Sequence, residues 1–202
     1  MRRKESEFKT IFFSKSGTQK INNDYFGYVQ LDNYAIWVIA DGYDGEEGAN
    51  IASKLSVESV IEYFTAHPRF NKEVIKELFK YTNDTIKQKQ EEIERYSLMH
   101  TSLLIVISNY NKILYGNIGN TRLYHIQGGY IVNQSSDDSV SQLLVQERAL
   151  DIKDIKSHRQ RNDLLQAIGD YSKVKPTISN EIKLLEGDKI CLTTRGIWEN
   201  ID

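Results

Sequence analysis

The sequence is poor in cysteine and proline, is nearly neutral and has no long apolar run. Its 202 residues include one cysteine and two prolines, and the formal net charge is −2. A lone Cys191 excludes an internal disulfide, which fits a reducing compartment. The small net charge gives no electrostatic reason to expect nucleic acid or an anionic membrane as a partner. The longest apolar runs, residues 34–40 and 103–107, are too short to span a bilayer.

The N-terminus also lacks the features of a secretory signal. Its first residues, Met-Arg-Arg-Lys, are basic, but the only apolar run that follows is residues 11–13. A signal peptide needs a longer apolar core. We therefore expect a cytoplasmic protein. The chain is long enough for one domain. Hydrophobic residues make up 40% of it and charged residues 27%, proportions that are typical of globular proteins.

The first half of the chain predicts a hairpin followed by two helices. Residues 25–31 and 34–40 are β-prone runs joined by Asp32-Asn33, a two-residue turn. Acidic residues at 46–47 favour a helix start near residue 45, and this helix ends at His67-Pro68. Asn71 is a plausible N-cap for a second helix, whose apolar positions keep helical spacing.

The second half predicts a strand meander. Strand-like runs occupy residues 102–108, 112–118, 121–126 and 130–132, separated by short polar or glycine-containing turns. Helical stretches are predicted near residues 140–149 and 162–168, and strands near 177–184 and 189–194. The last of these would bury Cys191 as a structural thiol. Because helices and strands do not alternate strictly, the order suggests antiparallel sheets with helices packed outside.

Asp24 and Asp41 are candidate metal ligands. Asp41 follows a buried strand and precedes Gly42, which would let a backbone carbonyl approach the same ion. Asp24 precedes the first strand of the hairpin, so pairing would place both carboxylates toward one end of the ladder. The alternative reading of each residue, taken alone, is an ordinary turn position.

Seven segments resemble, in order, the motifs of the type 2C protein phosphatases. Residues 22–24 (Asn-Asn-Asp) resemble the family's Asn-Glu-Asp, and residues 41–45 (Asp-Gly-Tyr-Asp-Gly) resemble its Asp-Gly-x-Gly-Gly. Residues 100–102 (His-Thr-Ser) stand where the family has Gly-Thr-Thr. Residues 117–124 (Asn-Ile-Gly-Asn-Thr-Arg-Leu-Tyr) resemble its Asn-x-Gly-Asp-Ser-Arg-x-Tyr.

The remaining motifs lie in the last third of the chain. Residues 137–139 (Asp-Asp-Ser) are similar to the family's Asp-His-Ser, and residues 164–169 to its Leu-Thr-x-Ala-Leu-Gly. Residues 187–198 resemble a closing Gly-Asp strand followed by Ser-Asp-Gly-Leu-Trp. Each motif is modest, but seven in the right order are specific. Residues 1–15 then form an N-terminal extension or first strand, and residues 16–202 the phosphatase-like domain.

The resemblance implies an α+β fold, a four-layer α/β/β/α sandwich of two antiparallel sheets flanked by helices. It also implies two Mg²⁺ or Mn²⁺ ions at one end of the sandwich, which bind the phosphate of phosphoserine or phosphothreonine and activate a water. Asp24, Asp41 and the carbonyl of Gly42 match the family's metal-site residues. The family's last ligand lies in an Asp-Asn motif beyond Trp198, so we expect the domain to lack its C-terminal end, as a fragment or as a shortened fold.

Several positions depart from the family. Asn23 replaces a glutamate, and Asn120 replaces the aspartate of Gly-Asp-Ser-Arg. Gln19 occupies the position of a phosphate-binding arginine, with Lys20 beside it as a weak substitute. The largest departure is Arg195, which stands where the family has a metal-ligating aspartate.

A guanidinium at that position opposes metal binding. It has no lone pair to offer and stays protonated. A single positive charge about 5 Å from a divalent ion, at an effective dielectric constant of about 20, is repelled by roughly 7 kcal/mol. We expect Arg195 to replace the cation and to pair with Asp24 or Asp41. The alternative is a surface arginine at a strand end, aligned with the motif by chance.

The sequence therefore supports three functional hypotheses. The favoured one is a catalytically inactive phosphatase-like domain, a pseudophosphatase, that binds a regulatory protein or a phosphorylated segment in signalling. The second is a working serine/threonine phosphatase that keeps one Mn²⁺ or Mg²⁺ on Asp24, Asp41 and Gly42. The third is an assembly domain without ligand. The expected cofactor is Mn²⁺ or Mg²⁺, or none.

Overall fold

The structure is a computed structural model that describes residues 7–43, 45, 47–170 and 173–201. The elements of its first half, in chain order, are β1 (Asp24–Gln30), β2 (Ala35–Gly42), α1 (Ala49–Ala66), α2 (Lys72–Glu92), β3 (Thr101–Ser108) and β4 (Lys112–Ile118). Those of its second half are β5 (Arg122–Gln127), β6 (Tyr130–Gln134), α3 (Val140–Gln146), β7 (Thr177–Ile178), β8 (Ile182–Lys183), β9 (Lys189–Thr193) and α4 (Arg195–Trp198).

The described strands form two antiparallel sheets. The larger has the order β1-β2-β3-β4-β7, with β8 also paired to β4, and the smaller has the order β6-β5-β9. Helices α1 and α2 pack against the larger sheet. The α+β class and the two antiparallel sheets flanked by helices are therefore confirmed. None of the described helices is both long and apolar enough to cross a membrane.

Strand β3 explains why residues 103–107 form a continuous apolar run. Leu103, Ile105 and Ile107 face α1 and α2 in one core cluster, whereas Leu104 and Val106 pack between the two sheets in a second cluster. When both faces of a strand are buried, apolar residues occupy successive positions and do not alternate with polar ones. β3 thus joins the helix layer to the sandwich interior.

Helix α2 begins where the sequence indicates, and α1 begins later than predicted. The side chain of Asn71 accepts a hydrogen bond from the backbone N–H of Val74 at 2.8 Å, as an N-cap does. Helix α1 starts at Ala49 instead of near residue 45, because Gly48 adopts a left-handed conformation (φ 88°) that helical geometry does not permit. Asp44 and Glu46, part of the predicted helix start, lie outside the described residues.

Three further predictions are corrected. Residues 162–168 form no helix, because Leu164 and Ile168 make isolated β-bridges to Ser139 and Thr101. Residues 177–184 form two strands of two residues each instead of one strand. Cys191 does lie on a strand, but its side chain is exposed instead of buried in the core.

The N-terminal segment packs onto the larger sheet without forming a strand over residues 7–15. The indole N–H of Trp37 donates to Thr10 Oγ1 at 3.0 Å. The ring of Phe8 lies against Trp37, with centroids 4.7 Å apart, and Phe12 lies against Phe26 at 4.5 Å. The domain boundary at residues 15–16 stays a prediction.

A buried carboxylate ties β5 to the turn before β9. Asp188 Oδ2 accepts hydrogen bonds from the backbone N–H of Leu185 (2.9 Å), from Gln127 Nε2 (3.0 Å) and from His125 Nε2 (2.9 Å). The side chains of His125 and Asp188 are 3% and 6% exposed. Burial opposes ionisation, but the three donors outweigh it and hold the pKa of Asp188 below its ordinary value.

We expect Asp188→Asn to lower the free energy of unfolding by about 2 kcal/mol at neutral pH, because hydrogen bonds to a buried charge are lost or weakened. A carboxyl group whose pKa is lower in the folded state than in the unfolded state stabilises the fold at pH values above its unfolded-state pKa of about 3.9. This stabilisation is lost as the pH falls through the folded-state pKa. The deficit of the variant should therefore shrink in acid. Urea unfolding at neutral and acidic pH measures it, with the exposed Asp84→Asn as control. A deficit independent of pH would contradict this account.

Candidate functional site

Asp24 and Asp41 face each other at the end of the β1–β2 ladder. They are register partners in this antiparallel pair, so their side chains lie on one face with Cβ atoms about 5 Å apart. Along β2, Trp37 and Ile39 lie in the cluster between the sheets, and Asp41 continues their alternation. The sequence-based expectation that both carboxylates lie at one end of the ladder is confirmed.

Gly42 is needed for a close approach of strand and helix. A Cβ at this position would lie 2.2 Å from the backbone oxygen of Ala49 and 3.1 Å from that of Asn23. The N–H of Gly42 also donates to the carbonyl of Asn23 at 3.0 Å. The glycine therefore lets the first turn of α1 pack against the end of β2, a packing role that its match to a metal-site motif did not predict.

The end of the smaller sheet meets this carboxylate pair through Thr194. Its hydroxyl donates to Asp24 Oδ2 at 2.7 Å, and the residue is 3% exposed. Thr194 follows β9 directly and precedes α4. One oxygen of Asp24 is thus already engaged by a protein donor.

Arg195 begins α4 next to Thr194. Its Nη1 donates to Asn162 Oδ1 at 2.6 Å and lies 3.8 Å from Glu199 Oε2. The guanidinium is therefore anchored in part by the loop before residue 163 and by its own helix. Its expected pairing with Asp24 or Asp41 stays a prediction.

The described residues do not fit the pair of divalent ions that the fold family implies. They contain no group of three or more His, Cys, Asp or Glu side chains arranged to hold a metal. Two carboxylates are present, one of them bonded to the Thr194 hydroxyl, and the next residue is the cationic Arg195. Mg²⁺ is usually held by one or two protein carboxylates with water completing its shell, so this pair could serve at most one such ion and not the two that the family implies. No metal-dependent step follows from this arrangement.

Asn120 lies in a motif that serves as a structural clamp. Its backbone carbonyl accepts a hydrogen bond from Trp198 Nε1 at 2.8 Å. The guanidinium of Arg122 lies 3.4 Å from the centre of the Trp198 ring and forms two hydrogen bonds with Asp137, of 2.8 and 2.6 Å. Burial raises the pKa of Asp137, although Arg122 opposes the shift. These four residues fasten α4 to the start of β5.

The other residues of the Asp-Asp-Ser motif also have structural partners. Asp138 Oδ2 accepts a hydrogen bond from Gln166 Nε2 at 2.7 Å, and burial raises the pKa of this carboxyl. Ser139 caps α3 by accepting from the N–H of Gln142 at 3.3 Å. The motif thus links the β5–β6 end of the sandwich to the loop that carries Gln166.

Lys20 is exposed and lines an open cleft of about 650 Å³, whose lining includes neither Asp24 nor Asp41. Gln19, Asn23 and the start of α1 line the same cleft. The structure therefore brings Lys20 together with Asn23, although both already lie close in sequence. A smaller cleft of about 290 Å³ includes Tyr43 and His100 in its lining.

Sequence reasoning missed four residues that surround Arg195. Thr194 aligns with the serine of the Ser-Asp-Gly-Leu-Trp motif, but nothing in the sequence indicated its contact with Asp24. Arg161, Asn162 and Glu199 gave no signal, because tertiary packing brings residues 161–162 across to α4. Arg161 Nε lies 3.4 Å from Glu199 Oε1, so Glu199 has a guanidinium on each side.

Comparison with known proteins agrees with this architecture. The family model for protein phosphatase 2C matches residues 14–200. Protein phosphatase PhpP of Streptococcus pneumoniae serotype 2 is 27% identical over 190 residues, which cover 92% of this chain and 77% of the relative. The serine/threonine phosphatase stp of Listeria monocytogenes serotype 4b is 25% identical over 178 residues, covering 84% and 69%.

Solved structures share the fold at lower identity. Serine/threonine phosphatase Stp1 from Staphylococcus aureus superposes with a TM-score of 0.85 at 22% identity, covering 100% of this chain and 83% of that one. The catalytic domain of the phosphatase PstP, in complex with two manganese ions, gives a TM-score of 0.77 at 20% identity, covering 91% and 75%. With the family model matching most of its length, the chain belongs to the protein phosphatase 2C family.

Proposed function

We propose that this protein phosphatase 2C domain is catalytically inactive and works by binding a phosphorylated segment or a regulatory protein. The observation that supports the proposal most directly is the junction of β9 and α4. There Thr194 donates to Asp24 at 2.7 Å, and the adjacent residue, Arg195, is a cation. A site that has lost an anionic ligand and gained a positive charge is poorly suited to divalent ions.

A phosphorylated protein is the partner class that the relatives suggest. PhpP and stp are named as phosphatases, and stp as a serine/threonine phosphatase. In this chain an open cleft is lined by Lys20 and by Asn23, the chain neighbour of Asp24. A domain that has lost hydrolysis while retaining recognition would act in signalling as a reader or a regulator. Its cytoplasmic location stays a prediction.

The competing function is hydrolysis with a reduced metal site. The register pairing of Asp24 with Asp41 favours it, since two carboxylates at one strand end are a minimal divalent site. This alternative needs Arg195 to turn away from the ion. Hydrolysis measurements separate the two functions.

We expect no metal-dependent hydrolysis of p-nitrophenyl phosphate by the chain in Mn²⁺ or Mg²⁺. Asp41→Ala provides the control, because any turnover that comes from this site must disappear in the variant. Contaminating phosphatase would give equal rates in both preparations. Turnover by the wild type that Asp41→Ala abolishes would overturn the proposed function in favour of the reduced metal site.

A further inference from the structure

The first 20 residues carry a charge opposite in sign to that of the rest of the chain. Of the 26 basic and 28 acidic residues, six basic and two acidic ones lie in residues 1–20, so residues 21–202 hold 20 and 26. The net charge of −2 conceals this asymmetry. A basic arm on an acidic body is typical of a segment that binds an anionic partner.

The even-numbered residues from 8 to 14 hold this segment against the larger sheet. Their contacts are Gln30 Nε2 to the carbonyl of Phe8 (3.2 Å), Trp37 Nε1 to Thr10 Oγ1 (3.0 Å), the ring of Phe26 to that of Phe12 (centroids 4.5 Å apart) and Asn22 Nδ2 to Ser14 Oγ (2.8 Å). One side of the segment is therefore fixed by β1, by β2 and by the residues just before β1.

The odd-numbered residues face away from the sheet. Ile11 and Phe13 are 82% and 76% exposed, and Lys9 and Lys15, on either side of them, are exposed as well. Successive side chains of an extended chain point to opposite sides, which fits this alternation. We call Lys9, Ile11, Phe13 and Lys15 the outer strip. It presents two apolar side chains between two cations.

The apolar surface extends beyond the outer strip. Phe12 is 63% exposed although its ring rests on Phe26. The hydrogen bond between Asn22 and Ser14 brings the chain around residue 21 beside the strip, and Ile21 is 59% exposed. Large apolar side chains left open side by side on a soluble domain indicate an interaction surface.

The lysines of the outer strip are available to an anionic partner. Lys9 and Lys15 form no ion pair within the described part of the chain. Residues 8–21 contain no acidic residue, and Glu7 lies two positions before Lys9. Lys20 lines a cleft that also contains Glu47, so it is not counted with the strip.

Acidic residues on the neighbouring strands leave the segment basic. Asp24 and Asp41 are half-buried at one end of the β1–β2 ladder, and Asp24 accepts from the hydroxyl of Thr194 at 2.7 Å. Asp32 lies at the opposite end, in the exposed turn. Even with Asp32 and Glu47 added to the two acids of residues 1–20, the six basic residues of that segment are in excess.

We infer that the outer strip attaches the domain to the surface of an anionic lipid bilayer. Ile11 and Phe13 enter the boundary between headgroups and acyl chains, and Lys9 and Lys15 stay with the lipid phosphates. The combination of apolar burial with attraction to anionic lipid gives stable peripheral binding where either alone is weak.

The shape of the outer strip favours a bilayer over a protein. A folded acidic partner needs a pocket for each protruding side chain, whereas a bilayer accepts them anywhere on its surface. A second copy of the chain is disfavoured, because two basic segments repel each other. The inference does not depend on whether the domain hydrolyses phosphate.

The test is co-sedimentation of the whole chain with vesicles of phosphatidylcholine alone, or of phosphatidylcholine and phosphatidylglycerol in equal parts. We expect binding to the mixed vesicles, roughly tenfold or more weaker binding to the neutral ones, and weakening by added salt. Lys9→Gln and Lys15→Gln should each weaken binding to the mixed vesicles about fivefold, the usual contribution of one basic side chain at an anionic surface.

The double variant Ile11→Ser, Phe13→Ser tests the apolar part of the contact. Both side chains are exposed, so the fold should be unaffected, which thermal melts verify. We expect roughly tenfold or more weaker binding to the mixed vesicles. The matched control is Tyr130→Ser, Ile131→Ser on β6, where these side chains are 78% and 59% exposed but residues 126–136 carry no charge. The control should bind as the wild type does.

A tryptophan on the outer strip reports insertion directly. Phe13→Trp adds a fluorophore to those of Trp37 and Trp198. We expect its emission to move to shorter wavelength with the mixed vesicles and not with the neutral ones, because the indole leaves water for the bilayer interface. The wild type, under the same conditions, provides the reference spectrum.

Three results would overturn the inference. These are failure to bind the mixed vesicles, equal binding to the neutral ones, and full binding by the folded Ile11→Ser, Phe13→Ser variant. Polyglutamate and a single-stranded oligonucleotide serve as competitors. If either binds the chain more tightly than the vesicles do, and equally well in the serine variant, the segment belongs to an acidic macromolecule and the membrane is excluded as its partner.

Discussion

Arg195→Asp is expected to give the chain a measurable affinity for Mn²⁺ that the wild type lacks. The substitution removes a positive charge next to the Asp24–Asp41 pair and supplies a third carboxylate. Thr194 touches Asp24 at 2.7 Å, so residue 195 lies at the same strand end. Relief of a repulsion of roughly 7 kcal/mol at about 5 Å would exceed the difference between millimolar and micromolar binding.

Isothermal titration with MnCl₂ measures this affinity directly, and thermal unfolding gives a second readout. A ligand at about 100 times its dissociation constant stabilises the native state by about 2.7 kcal/mol, which raises the melting temperature by several degrees in a domain of this size. We expect that rise for Arg195→Asp and none for the wild type. Tight Mn²⁺ binding by the wild type without any gain in the variant would show that Arg195 does not replace a ligand.

Arg161→Asp is the matched control for this experiment. It makes the same change of charge, and Arg161 shares Glu199 with Arg195. It does not follow Thr194, so it supplies no ligand beside Asp24. An equal gain of Mn²⁺ affinity in both variants would assign the effect to the general electrostatic field instead of to a restored ligand.

Local sequence signals correctly predicted the parts of the fold that depend on residues close together in the chain. The Asp32-Asn33 turn fixes the register of β1 and β2, and that register places Asp24 opposite Asp41. The N-cap at Asn71 follows from the backbone geometry of a helix start. Ordered motifs then identified the family, because seven segments had to agree at once.

Tertiary contacts determined what the sequence could not indicate. Residues 162–168 have helical spacing but are held by bridges to Thr101 and Ser139, so long-range pairing overrides propensity. Cys191 lies in an apolar run, and a run without alternation does not indicate which residues face outward. Asn162 contacts Arg195 across 33 residues of chain, a proximity that no local pattern encodes.

The clamp around Trp198 explains how α4 is held against the start of β5. Trp198 is 3% exposed, its indole N–H is bonded to the carbonyl of Asn120, and its ring is covered by Arg122. Arg122 is in turn fixed by Asp137, whose side chain is 2% exposed. Because α4 follows Thr194 directly, this buried cluster also positions the Thr194–Asp24 hydrogen bond.

Trp198→Ala is therefore expected to lower the free energy of unfolding by about 3–5 kcal/mol, the usual cost of removing a buried tryptophan. Such a loss is a large share of the total stability of a domain. Trp198→Phe keeps a ring beneath Arg122 but leaves the Asn120 carbonyl without its indole donor, so we expect a smaller loss of about 1–2 kcal/mol. Urea unfolding of both variants measures these differences.

A double-mutant cycle with Arg122→Ala tests whether the residues act as a unit. Removing Arg122 alone leaves Asp137 buried without its cation, and we expect a loss of about 3–5 kcal/mol at neutral pH. Because burial already raises the pKa of Asp137, that loss should diminish in acid as the carboxyl takes up a proton. Contacting residues couple by about 0.5–3 kcal/mol. Additive losses would show that Trp198 is held by packing alone and that Arg122 and Asp137 do not position α4.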